Sequence, residues 1–262
     1  MRNITDTFDG TRPVTMNHIV SADTLRLLDV QGMSHRAGAH MDSWHAQFPH
    51  TPMFSSEAVI CETERGVDKD FCPTPNPRAS SCWYNSEAAN CTALQVSYSD
   101  SREFNAGTYT WSGFDYTGDT GGGLGSSATG LIGDRAGFWK PMRWWMRSRW
   151  LSNVSVTDAG RPVLWPEAKQ QDGQYTVFVA DHWAAPPPGY TNRSIHVYSN
   201  AASVQLLLNG QPVAHAPVAD FGSAEFEVSF TPGNLTVGVI KFVQGLVATA
   251  WHGMSVYSKW RS

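Results

Sequence analysis

The sequence predicts an α/β unit followed by an all-β sandwich. Two observations carry the prediction. Up to about residue 150, short apolar runs alternate with helix-like segments, as βα units around a parallel sheet do. Beyond residue 170 the apolar period shifts to two, with turn signals between short runs, as in a small antiparallel sandwich. With 262 residues the chain can hold one or two domains, each with a core. The expected limits are 1–152 for the α/β domain, 153–171 for a linker and 172–262 for the sandwich.

The α/β elements follow in order. "RPVTMNHI" (12–19) reads as a strand, "ADTLRLL" (22–28) as a helix and "LDVQGMS" (28–34) as a strand. "MDSWHAQFP" (41–49) is a short helix closed by Pro49, and "PMFSSE" (52–57) a strand that ends on a glutamate. Residues 62–100 have little periodicity and read as a long, partly irregular insertion. "EFNAGTYTWSGFDY" (103–116) reads as a strand after a turn. "GFWKPMRWWMRSRWL" (137–151) is an aromatic-rich amphipathic helix with Pro141 in its first turn. Only about four βα units are visible, whereas a closed (β/α)8 barrel needs eight.

In the second part, "QYTVFVADHW", "SIHVYSN", "SVQLLLNG", "AEFEVSF" and "LTVGVIKF" are strand-like. Asn209-Gly210, Pro232-Gly233 and Gly245 mark turns, and "AAPPPG" (184–189) is a proline-rich loop.

Composition narrows the function. The net charge of -4 argues against nucleic acid or an anionic membrane as partner. The longest apolar runs fall far short of a membrane span. Charged residues make up only 16% and aromatics 12%; a surplus such as the 11 tryptophans means large cores or sugar-stacking platforms, and core packing should take most of them. Cys61, Cys72, Cys82 and Cys91 lack the CxxC spacing of a zinc site, and their even number permits disulfides. N-x-S/T triplets begin at Asn3, Asn90, Asn153, Asn192 and Asn234. Cysteines and triplets together lean toward a secreted, extracellular protein. Neither a metal nor a cofactor is expected. "GGGLGSS" (121–127) lacks the lysine of a phosphate loop, and His45 and His182 read as hydrogen-bonded structural residues. Ser55-Ser56 lacks the surroundings of a nucleophile elbow.

Polar residues cluster at expected strand ends: Glu57, Ser34 with His35, and Trp111 with Asp115. On parallel strands these ends share one rim, where barrel active sites form. Indole beside carboxylates suits a sugar, whose C–H face stacks on the ring while acids take its hydroxyls. Glu57 is therefore either a salt-bridged structural acid or a retaining glycosidase nucleophile. The second role needs another carboxyl about 5 Å away.

Six blocks carry a resemblance: "DGTRPVT", "LDVQGMS", "FPHTPMFSSE", "AGTYTWSGFDYTGDT", "GFWKPMRWWMRSRW" and "HVYSNAASVQLLLNG". In this order they resemble glycoside hydrolase family 2, most of all β-galactosidase-like members with an immunoglobulin-like domain after the barrel. The resemblance runs from about residue 8 to about residue 250. It implies a partial (β/α)8 TIM barrel, about strands 5–8, followed by an all-β immunoglobulin-like sandwich. It implies that Glu57 is the nucleophile of a retaining β-glycosidase acting on a terminal β-galactoside or related β-glycoside. Trp111 would floor the sugar subsite, Asp115 would bind a hydroxyl or orient the rim, and the implied partner is carbohydrate. The "YSN" to "LNG" block, Tyr198 to Gly210, implies structure and no chemistry.

Two departures stand beside the resemblance. The family's acid/base glutamate lies in an "NE" pair upstream of the "TRPVT" block, and the chain contains no such dipeptide. Where the family commonly has "GYNY", the chain has Gly32-Met33-Ser34-His35, with His35 as a substitute sugar contact. The expectation is a fragment that needs a missing barrel half or N-terminal domains and is itself inactive. The alternative is a non-catalytic carbohydrate-binding protein or an inactive product.

Overall fold

The structure is a computed structural model. It describes residues 2–17, 21–34, 39–58, 61, 85–118, 126–127, 129–150, 175–186, 188–219, 223–243, 246–250 and 255–257. Two compact units form. One comprises Met1–Cys61 with Asn90–Gly113, the other Glu62–Ala89 with Phe114–Ser262.

The first unit is built on a parallel sheet of three strands, β1 (Gln31–Ser34), β2 (Met53–Ala58) and β3 (Asn105–Thr110), in that order. Helix α1 (Arg2–Phe8) and the short α2 (Ala22–Leu25) precede the sheet, with Ser21 Oγ capping α2 by accepting from Thr24 N–H at 3.2 Å. Helix α3 (Ala39–Gln47) crosses from β1 to β2, and α4 (Asn85–Asp100) leads into β3. Parallel neighbours need such crossovers, so β1-α3-β2 and β2-α4-β3 are βαβ units.

Leu25, Met33, Met41 and Met53 form the core, packed by Leu28, Trp44, Phe48 and Phe104. Arg102 grips both carboxylate oxygens of Asp42 at 2.6 and 2.7 Å, tying the end of α4 to α3. The guanidinium holds the Asp42 carboxyl below its ordinary range. A disulfide joins Cys61, just beyond β2, to Cys91 on α4.

Two expectations need correction. Residues 85–100 are helical, where an irregular insertion was expected. The buried face of α4 recurs at helical spacing, but its residues are Thr92, Val96 and Ser99, so no apolar stripe announces it. Ser99 Oγ meets Ser55 Oγ of β2 at 3.2 Å, a polar contact in place of an apolar one. The described part of the expected strand 12–19, residues 12–17, pairs with no named strand. Pro13 has no N–H to offer, and Val14 N–H donates to the Asp29 side chain at 2.8 Å.

The second unit begins with the small pair β4 (Tyr116–Thr117) and β5 (Ser126–Ser127), then α5 (Pro141–Trp150). Pro141 opens α5, where its missing N–H costs nothing. Met142, Trp145 and Met146 are buried at helical spacing.

Two antiparallel sheets follow. One orders β10 (Ala224–Ser229), β7 (Asn192–Ser199) and β6 (Val177–Val179). The other orders β12 (Leu246–Ala250), β11 (Asn234–Val243), β8 (Ser203–Leu208) and β9 (Gln211–Pro217), with β13 (Ser255–Tyr257) also on β11. One core joins both sheets, with Ile195, Val197, Phe226 and Val228 from the first and Val204, Leu206, Leu235 and Val237 from the second. β7 is buried on both faces, because Trp144 of α5 stacks on Phe178 at 5.4 Å and Phe178 on Tyr198 at 6.3 Å. The expected turn at Asn209-Gly210 joins β8 to β9 with φ of 51° and 80°, as a two-residue hairpin requires. β9, β12 and β13 were not among the expected strands.

Candidate functional site

All three parallel strands end at one rim. Ser34 lies opposite Glu57, and Ala58 lies opposite Thr110. Trp111 N–H donates to Ala58 O at 2.8 Å, which seats Trp111 beside the end of β2. Open parallel sheets place their ligands at this carboxyl end.

A bulge aims Glu57. Gly32 pairs with Phe54 and Ser34 with Glu57, so two steps along β1 match three along β2. Against β3 the register shifts twice: β3 has the extra residue between Met53–Asn105 and Ser55–Thr108, and β2 has it between Ser55–Thr108 and Ala58–Thr110, the stretch that holds Glu57. Strand side chains alternate, and regular alternation would put Glu57 on the face of Ser55. That face is buried against Met41 and Ser99. The extra residue breaks the alternation and lets Ser56 and Glu57 reach the same neighbour.

That neighbour is Asn17. Its Nδ2 donates to Glu57 Oε2 at 2.9 Å, and its Oδ1 accepts from Ser56 Oγ at 2.6 Å. Ser34 Oγ, itself buried, donates to the same Glu57 Oε2 at 3.1 Å. Trp111 is 40% exposed on the neighbouring strand end, and its bond to Ser112 is cis. An anchored carboxylate beside an accessible indole has the parts of a sugar subsite.

Asp115 belongs to the second unit. Its Oδ1 accepts from Lys140 Nζ at 2.6 Å and from Gly130 N–H at 2.8 Å. The Lys140 and Asp115 side chains are 1% and 9% exposed. A β-carbon on Gly130 would lie 2.1 Å from the Asp115 nitrogen, so the close approach requires glycine there.

Three comparisons bear on this arrangement. A family profile described as "Domain of unknown function (DUF4982)" matches residues 191–243. No curated protein matches. Among solved structures, a β-glycosidase from Bacteroides vulgatus superposes with a TM-score of 0.67 at 17% identity, over 99% of this chain and 34% of that one. A Bacteroides uniformis β-glucuronidase gives 0.66 at 16% identity, over 98% and 30%. A glycosyl hydrolase family 2 member from Bacteroides cellulosilyticus gives 0.59 at 22% identity, over 99% and 32%. The chain shares its fold with part of each of these structures. The chain spans about a third of the length of these structures.

Within this fold, two of the four expected site residues, Glu57 and Trp111, come to adjacent strand ends. Asp115 is described by its own contacts in the second unit, and His35 lies outside the described residues. Asn17 was missed. The signal for it was available: it is a polar residue just after the "RPVTM" run, as Ser34 and Glu57 are at their own run ends. His45 stacks on Phe104 at 3.9 Å, and Arg193 donates to His182 O at 3.1 Å, both structural contacts. Among the described residues no group of three or more His, Cys, Asp or Glu side chains could hold a metal ion. No described helix is long and apolar enough to cross a membrane.

Proposed function

We propose that the chain is the nucleophile-bearing part of a retaining β-glycosidase, with Glu57 as nucleophile. The observation that carries this reading is the bulge in β2, which takes Glu57 off the buried face and brings it to Asn17 and Ser34 at the strand end beside Trp111. A purely structural acid needs no such departure from alternation.

In this reading a Glu57 oxygen attacks the anomeric carbon and forms an ester bond to the sugar. The bond from that carbon to the aglycone oxygen breaks, and an acid/base carboxyl protonates the leaving oxygen. Water, giving its proton to the same acid/base group, then attacks that carbon from the face the aglycone left, opposite the ester; the ester breaks, and Glu57 returns as a carboxylate. The reading assigns no residue of this chain to the acid/base. Trp111 supplies the stacking face and His35 a further sugar contact. Asp115, held by Lys140 and Gly130, orients its loop. The substrate class is a terminal β-galactoside or a related β-glycoside such as a β-glucuronide. The same reading takes residues 1–152 as part of a (β/α)8 barrel, 153–171 as a linker and 172–262 as an immunoglobulin-like sandwich.

The test avoids the need for a general acid. 2,4-Dinitrophenyl 2-deoxy-2-fluoro-β-glycosides of galactose and glucuronic acid leave without protonation and trap the nucleophile. Intact mass and peptide mapping should show one sugar on the peptide containing Glu57, and none on Glu57→Gln. If neither sugar labels the chain while glycan binding persists and Trp111→Ala abolishes it, the protein binds carbohydrate without catalysis.

A further inference from the structure

We propose that Asn17 is a positioning residue for Glu57, holding its carboxylate at the strand end; this rests on the nucleophile reading above. The orientation of its amide follows from chemistry. An ionised carboxylate only accepts, so the NH2 end must face Glu57. The carbonyl end then faces Ser56 Oγ, which donates at 2.6 Å and locks the amide against flipping. Asn17 Nδ2 and Ser34 Oγ converge on one oxygen, Oε2, at 2.9 and 3.1 Å. Two donors from different stretches of the chain thus hold the Glu57 carboxylate by Oε2.

The backbone beneath is shaped for this contact. A β-carbon on Gly32 would lie 2.6 Å from Met16 O and 3.2 Å from the Ser56 side chain. Glycine in β1 thus lets the segment before Asn17 close onto the sheet, within reach of both β2 residues. Asn17, Ser34 and Glu57, from three separate stretches of the chain, therefore meet at one oxygen.

Two consequences follow for the chemistry. Donors to the carboxylate bind its charged form better than its neutral one. They also bind the charged carboxylate better than the ester carbonyl it becomes in the glycosyl-enzyme. Asn17 therefore assists the second step, in which Glu57 leaves.

The experiment uses the full chain as wild type, Asn17→Ala and Ser56→Ala. Asn17 is exposed, so its loss leaves the core intact, and thermal midpoints check this. The Glu57 carboxyl is titrated by carbon-13 NMR, and labelling by the 2-fluoro sugar is followed against pH. Asn17→Ala should raise the Glu57 titration midpoint and carry the acid limb of labelling up with it. Ser56→Ala should move both in the same direction by less. The labelled Asn17→Ala protein should lose its sugar roughly tenfold more slowly than wild type. Wild-type labelling at Glu57 with unchanged midpoint, pH limb and release in Asn17→Ala overturns the role of Asn17 alone. Failure of the wild type to label at Glu57 overturns the nucleophile reading, and the positioning role falls with it.

Discussion

Replacing Lys140 by methionine tests what Asp115 is for. Methionine keeps most of the lysine stem and removes only the charge. Lys140 Nζ lies 2.6 Å from Asp115 Oδ1, and the two side chains are 1% and 9% exposed. Water therefore cannot replace the ammonium cheaply. Asp115 would keep the Gly130 N–H at 2.8 Å as a partner, but its charge would stay buried without the lysine. Removing one partner of such a pair costs about 3–5 kcal/mol, because the other charge stays desolvated. In a chain of this size that lowers the melting temperature by roughly 6–20 °C. Adding Asp115→Asn to Lys140→Met removes the orphaned charge while keeping an acceptor for Gly130. The double variant should therefore recover much of the loss. The assay is thermal and urea unfolding of the three proteins, with attention to separate transitions for the two units. A loss below 1 kcal/mol for Lys140→Met, or a double variant no better than the single, refutes the argument that the pair holds the loop.

Two further outcomes follow from other parts of the molecule. Reducing the Cys61–Cys91 bridge, which closes a separation of 30 residues, should cost about 3–4 kcal/mol by loop entropy. A thermal midpoint unchanged by dithiothreitol would contradict this. Tyr198 is fully buried, and burial, reinforced by the Asp181 charge, pushes its phenol well above the ordinary value. The folded state keeps the proton while the unfolded chain releases it. Stability is thus unaffected below the unfolded pKa of about 10 and falls above it by up to about 1.4 kcal/mol per pH unit. Tyr198→Phe keeps the ring against Phe178 and should flatten that alkaline decline; an equally steep decline in the variant would show that Tyr198 is not its source.

The parts legible from sequence were those where apolar residues recur at a clean period. Strand β2 at Met53–Ala58 falls within one residue of the expected 52–57, and the helix after Pro141 lies where aromatic spacing put it. The shift to period two announced both antiparallel sheets, with Ile195 and Val197 turned to the core and Asn209-Gly210 at a hairpin. Helix α4 escaped because Thr92 and Ser99 occupy its buried face beside Val96. Hydrogen bonding there, as between Ser99 and Ser55, replaces the apolar contact that a periodicity scan detects.

At the site the division is sharper. Composition, order and chemistry in the chain suffice to single out Glu57 as an acid at a strand end and Trp111 as an indole near it. They leave open which way Glu57 faces. Alternation is a local rule, and by that rule Glu57 belongs with buried Ser55. The direction was decided by pairing with two other strands, because a bulge exists only where one strand locally carries a residue its partner does not match. Asn17 likewise acquires its role 40 positions from Glu57, through a close approach that Gly32 permits. Such contacts depend on distance in space, and a sequence records only distance along the chain.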